Sequence, residues 1–205
     1  MRTVATQVSS GSVAERSGFF GRVERTRIGS PYVIKAMEDA LVKGEPRVCG
    51  YEANGSFLLG SDLEQRRGRL TALPTRNAVL PILAALTDAR RSSVSAVAAA
   101  LPHRFTHSGR LAEFAPDWRD RLMCWLLEEK DRAVRLQETF GPLAGGALSR
   151  IDLNDGVRMI FANERIVHLR GSGNAPELQC YVEAETRQLA RQIGKEALAI
   201  VSRQF

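Results

Sequence analysis

The run RGSGNAP at residues 170–176 has the composition of a loop that could bind a phosphate group. Arg170 offers a planar fork of N–H donors that fits phosphate oxygens in a bidentate way, and Ser172 and Asn174 add a hydroxyl and an amide. The two glycines would let the backbone turn so that successive N–H groups point at one anion. A glycine-rich turn carrying one surface arginine is the alternative, and the run alone leaves it open.

A second run, GYEANGS at residues 50–56, joins two apolar segments that have the character of short strands. Asn54-Gly55 is a strong signal for a tight hairpin turn between them. The carboxylate of Glu52, at the tip of such a hairpin, would be a good acceptor for a pair of sugar hydroxyls. A plain hairpin with a solvated glutamate is the alternative.

Together the two runs resemble the alpha-D-phosphohexomutases, in particular the bacterial phosphomannomutase/phosphoglucomutase branch. In that family a Gly-x-Glu-x-(Ser/Asn)-Gly loop in the third domain binds sugar hydroxyls. An Arg-x-Ser-x-(Asn/Thr)-x-Pro loop in the fourth domain holds the substrate phosphate. Other segments resemble the family in the same order, from about residue 3 to the C-terminus: TRIGSPYVI at 26–34, LPTRNA at 73–78 (read as a helix start), DGVRM at 155–159 and IVHLR at 166–170.

The resemblance implies roles for eight residues. Sugar hydroxyls would be bound by Glu52, Asn54 and Gly55, and the phosphate that is not transferred would be held by Arg170, Ser172, Gly173 and Asn174. Arg27, near the turn at Gly29, would assist with the sugar or the phosphate. The chain departs from the family where Gln7 and Gln179 replace a proline and an arginine that relatives often have.

The motifs of the first two family domains are not found in these 205 residues. The first is the phosphoserine loop that transfers the phosphoryl group, and the second is the Asp-Gly-Asp-Gly-Asp-Arg loop that binds magnesium. We therefore assign no catalytic residue, no metal ligand and no cofactor to this chain; the resemblance implies that magnesium belongs to the missing part. The chain would be the C-terminal portion of a mutase and inactive alone.

The expected ligand is a hexose phosphate such as mannose or glucose phosphate, and the expected macromolecular partner is the missing N-terminal half or a second copy. One alternative is a standalone, non-catalytic phosphosugar-binding module. Another is a basic interaction protein, since the formal net charge is +6. Nucleic acid is not expected as a partner, because the arginines are interspersed with acids and aromatic residues make up only 6%.

Three widely spaced cysteines without a Cys-x-x-Cys motif argue against a disulfide framework or a zinc site, and a cytoplasmic setting fits them best. No apolar run is long enough to span a bilayer. His103 and His107 lack further ligands for a metal. We expect His168 to be satisfied or exposed, Trp118 and Trp125 to be core residues, and Asp152 and Asp155 to cap a turn.

The pattern of elements predicts an α/β protein of two domains. Residues 1–102 would form a layered α/β domain that carries the hydroxyl-reading loop, with Ser30 capping a helix through residue 43 and a polar loop around Arg66 and Arg69. Residues 103–205 would form an α+β domain with an antiparallel sheet that carries the phosphate loop. That domain would begin with a hinge near residues 102–116 and one long helix that ends in the glycine-rich segment 141–146.

Overall fold

The computed structural model describes residues 2–66, 68–173 and 175–204. The chain divides into two compact units, Met1–His103 and Arg104–Phe205, each with its own sheet. The predicted fold class is confirmed, because the first unit is a layered α/β structure and the second combines helices with an antiparallel sheet. Among the described residues, no helix has both the length and the apolar character needed to cross a bilayer.

The first unit is built on a five-stranded mixed sheet with the strand order β2-β1-β3-β4-β7. The strand β1 pairs in parallel with β2 and β3, and the pairs β3–β4 and β4–β7 are antiparallel. A separate two-stranded hairpin is formed by β5 and β6. The strands are β1 (Thr3–Gln7), β2 (Arg22–Thr26), β3 (Val48–Tyr51), β4 (Phe57–Leu59), β5 (Leu63–Gln65), β6 (Gly68–Leu70) and β7 (Leu73–Asn77).

Four helices complete the first unit: α1 (Val13–Arg16), α2 (Ser30–Val42), α3 (Val79–Ala89) and α4 (Val94–Ala99). Side chains alternate between the faces of a strand, so neighbouring residues of β1 enter different clusters. Ala5 packs with Val33 and Met37 of α2, whereas Val4 packs with Ala14 of α1 and with Cys49. The helix α3 carries the apolar residues Val79, Ile82, Leu83 and Leu86, but no residue of that helix is buried.

Three local predictions for the first unit are wrong. The helix α2 begins at Ser30 itself, with Gly29 as its N-cap, so the serine hydroxyl is not a cap. The segment 73–78, read as a helix start, is mostly the strand β7, which ends where the amide oxygen of Asn77 accepts the N–H groups of Val79 and Leu80. The arginine-rich segment predicted as a polar loop is part of the β5–β6 hairpin: Arg69 lies in β6, Arg66 lies in an exposed turn, and Arg67 lies outside the described residues.

The second unit contains a five-stranded sheet, ordered β8-β12-β11-β10-β9, in which every neighbouring pair is antiparallel. Its elements are β8 (Phe105–Leu111), α5 (Pro116–Leu127), α6 (Arg132–Ala144), β9 (Leu148–Asp152), β10 (Val157–Phe161), β11 (Ile166–Gly171), β12 (Leu178–Ala184) and α7 (Arg187–Gln204). Every second residue of the central strands, such as Val167 and Leu169, enters one apolar core together with Leu126, Phe140 and Ile193 of the helices. The opposite face of the sheet is therefore left for polar side chains.

Four predictions for the second unit need correction. The supposed hinge near 102–116 contains β8, an edge strand of the sheet, whose half-exposed alternating pattern hid it. The expected long helix is two helices, and the second continues through Gly141 and Pro142 to Ala144. Trp118 is exposed rather than core, whereas Trp125 packs against the core.

Candidate functional site

The run 50–56 forms the predicted hairpin between β3 and β4. The backbone N–H of Glu52 donates to the carbonyl of Ser56 at 2.9 Å, and the N–H of Gly55 donates to the carbonyl of Glu52 at 3.0 Å. Gly55 has φ 89°, a left-handed conformation that glycine adopts without strain. The Asn54 amide oxygen accepts the N–H of Ser56 at 3.0 Å, which closes the turn. Asn54 and Gly55 are exposed at the tip.

The Glu52 side chain is buried rather than solvated, with a relative exposure of 4%. Its Oε1 accepts a hydrogen bond from the Ser30 hydroxyl at 2.5 Å. Its Oε2 accepts hydrogen bonds from the Gln7 amide at 2.9 Å and from the Asn54 amide at 3.4 Å. A buried carboxylate needs such donors to compensate for lost hydration. The result is a carboxylate fixed in position from three elements, β1, α2 and its own hairpin.

Arg27 lies just before the Gly29 turn and is exposed. Its guanidinium carbon is 5.2 Å from the centroid of the Tyr32 ring, within the range of a cation–π contact. Arg27 therefore lies three residues before Ser30, whose hydroxyl donates a hydrogen bond to Glu52.

In the second unit, polar side chains share the face of the sheet opposite the core. The register pairs Arg158 with His168, His168 with Tyr181, and Arg170 with Gln179, so all five lie on that face. The side chain of Arg170 is held by two neighbours: its Nε donates to Asp155 Oδ1 at 3.2 Å, and its Nη1 donates to Gln179 Oε1 at 2.8 Å. These contacts engage two of the five N–H donors of the guanidinium and set its orientation.

The loop that follows Arg170 begins at the end of β11. The N–H of Ser172 donates to the carbonyl of Glu177 at 2.8 Å, so this amide closes the loop and does not point at a ligand, contrary to the expectation that successive N–H groups would. Ser172 is buried, with a relative exposure of 8%, and Gly173 is exposed with no heavy atom within 4 Å of the position that a Cβ would take. Asn174, the last predicted phosphate ligand, lies outside the described residues.

A cavity of about 200 Å³ opens beside this loop within the second unit. It is lined by Arg119 and Met123 of α5, by the turn Asp155-Gly156, and by residues 170–172. The volume is below the roughly 300–1,000 Å³ of pockets that enclose a drug-sized ligand, so the cavity suits a small charged group. Arg170 and Ser172, which are two residues apart, thus both line one cavity.

His168 is buried beneath the turn at Asp155, and the expectation of a satisfied or exposed histidine holds only in part. Its Nε2–H donates to the backbone carbonyl of Asp155 at 2.5 Å, and its ring lies 5.5 Å from that of Tyr181. Its buried Nδ1 has no partner among the described residues. Burial lowers the pKa of His168 to about 4; the charges of Arg158 and Arg170 act in the same direction, against the hydrogen bond to Asp155.

The remaining candidates are structural. Asp152 accepts the N–H of Asn154 at 3.0 Å, which confirms it as a turn cap, whereas Asp155 pairs with Arg170. Burial raises the pKa of the Cys49 thiol to about 11 and that of Cys180 to about 12. Within the described ranges, no three His, Cys, Asp or Glu side chains cluster as a metal site would require.

Sequence reasoning missed the residues that orient the two motifs. Ser30 and Gln7 hold Glu52, and Asp155 and Gln179 hold Arg170. Arg119 was missed as well. The two glutamines had drawn attention only as departures from the family pattern, and their positions were the available signal.

Two curated proteins are similar to this chain over nearly its whole length. No protein-family model matches the chain. The chain is 40% identical over 203 residues to a phosphomannomutase of Sinorhizobium fredii, covering 98% of this chain and 42% of the relative. It is also 40% identical over 199 residues to a phosphomannomutase of Salmonella muenchen, covering 96% of this chain and 40% of the relative. The chain therefore spans about two fifths of the length of the curated relatives it matches.

Solved structures with the same fold cover 98% of this chain. One is the Aspergillus fumigatus N-acetylphosphoglucosamine mutase in complex with glucose 1,6-bisphosphate, at 12% identity and a TM-score of 0.63, of which this chain covers 38%. Another is an N-acetylglucosamine-phosphate mutase of the alpha-D-phosphohexomutase superfamily in a substrate complex, at 14% identity, a TM-score of 0.61 and 39% coverage. A phosphoglucomutase/phosphomannomutase family protein from Burkholderia thailandensis matches at 14% identity, a TM-score of 0.58 and 37% coverage.

Proposed function

Since this chain is an alpha-D-phosphohexomutase sequence that corresponds to the C-terminal portion of phosphomannomutase, we propose that it binds a hexose phosphate for intramolecular phosphoryl transfer. The second unit would hold the phosphate through Arg170, Ser172, Gly173 and Asn174. The first unit would bind the sugar hydroxyls through Glu52, Asn54 and Gly55, with Arg27 nearby.

The oriented guanidinium of Arg170 beside a small cavity is the observation that carries this proposal. Asp155 and Gln179 fix two of its N–H donors, which leaves the planar group preorganised for an anion. Preorganisation reduces the conformational entropy that is lost on binding, and it favours a bidentate phosphate contact. The hydroxyl of Ser172, which lines the same cavity, would donate to a third phosphate oxygen.

The first unit supports the second half of the proposal. A carboxylate can accept about four hydrogen bonds, and the carboxylate of Glu52 already accepts three. A sugar hydroxyl would take the remaining position or replace the long contact from Asn54. Binding the phosphate and the hydroxyls separately would set the orientation of the sugar, and catalysis by proximity depends on such an orientation.

We further propose that phosphoryl transfer requires residues outside these 205, since the sequence has neither a phosphoserine motif nor an Asp-Gly-Asp motif. The contribution of this chain would be to bind and orient the substrate.

A calorimetric titration of the full chain with mannose 1-phosphate and glucose 1-phosphate tests the proposal. Replacing Arg170 with alanine removes a charge-assisted contact of about 1.5–3 kcal/mol, so affinity should fall about tenfold to a hundredfold. Arg150→Ala is the matched control, since Arg150 is exposed and pairs with Ile160, toward the opposite end of the same sheet. Equal affinities of wild type and Arg170→Ala would contradict the proposal.

A further inference from the structure

We infer that Arg119 of α5 is a second phosphate-binding arginine at the cavity beside Arg170. This inference deepens the proposed function and rests on it. It assigns the site a cation that comes from a helix rather than from the loop, and it predicts how the neighbouring Asp120 controls that cation.

The position of Arg119 is set by a glycine. A Cβ on Gly171 would lie 2.8 Å from the Cδ of Arg119 and 3.8 Å from its Nε. Contacts under 3.0 Å to a Cβ are essentially never seen, so the bare backbone of Gly171 is what lets Arg119 lie against the end of β11. Arg119 and Arg170 both line the 200 Å³ cavity there.

The charge balance of the cavity calls for this second cation. Arg170 is paired with Asp155 at 3.2 Å, and both side chains are largely buried, with exposures of 14% and 10%. The pair is close to neutral as seen by an incoming anion. A phosphate monoester carries close to two negative charges at neutral pH. Among the described lining residues, Arg119 is the remaining cationic side chain, so it supplies the charge that Asp155 offsets.

The present partner of Arg119 is easily exchanged. Arg119 Nη2 lies 2.9 Å from Asp120 Oδ1, but these side chains are 32% and 66% exposed. An exposed ion pair between sequence neighbours contributes little to stability, and a doubly charged phosphate would compete with it well. Asp120 would thus act as a weak internal competitor for the guanidinium that binds the phosphate.

The test is a calorimetric titration of the full chain with mannose 1-phosphate and, separately, inorganic phosphate. Arg119→Gln should weaken both affinities by about threefold to tenfold, a range between an exposed and a preorganised charged contact. Arg121→Gln is the matched control, because Arg121 is exposed on the same helix and two residues away, hence on another helix face. It removes the same charge and should leave both affinities within error.

Asp120→Asn provides the second measurement, since it releases Arg119 without touching the cavity. Both affinities should rise by about twofold to fivefold, a gain that a merely structural role of Arg119 would not produce. If Arg119→Gln binds like Arg121→Gln while Arg170→Ala has lost affinity, the inference is wrong and the proposed function stands. If wild type fails to bind, or if Arg170→Ala binds like wild type, the proposed function is refuted and the inference with it.

Discussion

The buried histidine beneath the turn at Asp155 should make the second unit sensitive to acid. His168 has its folded-state pKa lowered from 6.5 to about 4, chiefly because burial disfavours the charged imidazolium. The unfolded chain therefore binds more protons than the folded one between these pH values. Stability is complete above pH 6.5 and is lost progressively as the pH falls toward 4.

The size of the effect follows from the separation of the two pKa values. A difference of about 2.5 pKa units at about 1.4 kcal/mol per unit gives a loss of about 3 kcal/mol from this group alone. The unpartnered Nδ1 adds to the reasoning, because a proton placed there would be buried without an acceptor among the described residues. Such a loss is a large fraction of the stability of a typical domain.

Urea unfolding at pH 7.5, 6.5, 5.5 and 4.5 measures this, followed by tryptophan fluorescence. Both tryptophans, Trp118 and Trp125, lie in the second unit, so the signal reports on the unit that contains His168. Comparison with His168→Gln cancels the other titrating groups. The stability of wild type relative to His168→Gln should decrease by about 2.5 kcal/mol between pH 7.5 and pH 4.5, which is most of the full loss.

The reasoning is refuted if the difference in unfolding free energy between wild type and His168→Gln stays constant over the whole pH range. A constant difference would mean that His168 takes up its proton equally in the folded and unfolded states.

Two further predictions concern stability. Arg104→Ala should destabilise the second unit by about 3–5 kcal/mol in urea unfolding, because it removes the arginine that pairs at 2.9 Å with Glu183, and both side chains are only 4% exposed. Arg110→Ala breaks an exposed ion pair and should cost under about 1 kcal/mol. Equal losses of stability in the two variants would contradict this prediction. Gly156→Ala should cost about 3 kcal/mol or more by the same assay, because φ is 78° and the new Cβ would lie 2.3 Å from a backbone carbonyl oxygen of β11. Gly145→Ala, at φ 65° but facing side-chain atoms of Arg165 and Asn163 rather than backbone, should cost about 1–2 kcal/mol. A Gly156 variant as stable as this one would refute the steric argument.

Much of the fold could be predicted from local sequence signals. The strands around 157–161 and 166–169 alternate or run apolar, and Asn54-Gly55 fixes a hairpin turn, so short-range chemistry sufficed. The strand β8 could not be found this way, because its half-exposed edge position is set by pairing with β12, far away in the sequence. Tertiary pairing, rather than propensity, decides such a strand.

The sequence indicated the motif residues of the candidate site, but it did not indicate the side chains that hold them in place. Serine is a common helix-capping residue, but the hydroxyl of Ser30 donates a hydrogen bond to Glu52, 22 residues away. Aspartate is common in turns, but the carboxylate of Asp155 accepts a hydrogen bond that orients Arg170. Both contacts join segments that are distant in sequence, and short polar side chains can serve either role. Only the folded arrangement selects between the roles.

The central claim is that the two loops recognise different parts of one phosphosugar. Its most direct test is a titration of the ¹⁵N-labelled full chain followed by amide chemical shifts. Inorganic phosphate should move the resonances of Ser172 and Gly173 only, whereas mannose 1-phosphate should also move those of Gly55 and Ser56, and Glu52→Gln should abolish that second set of changes. Mannose 1-phosphate that moves the same resonances as phosphate and no others would contradict the account.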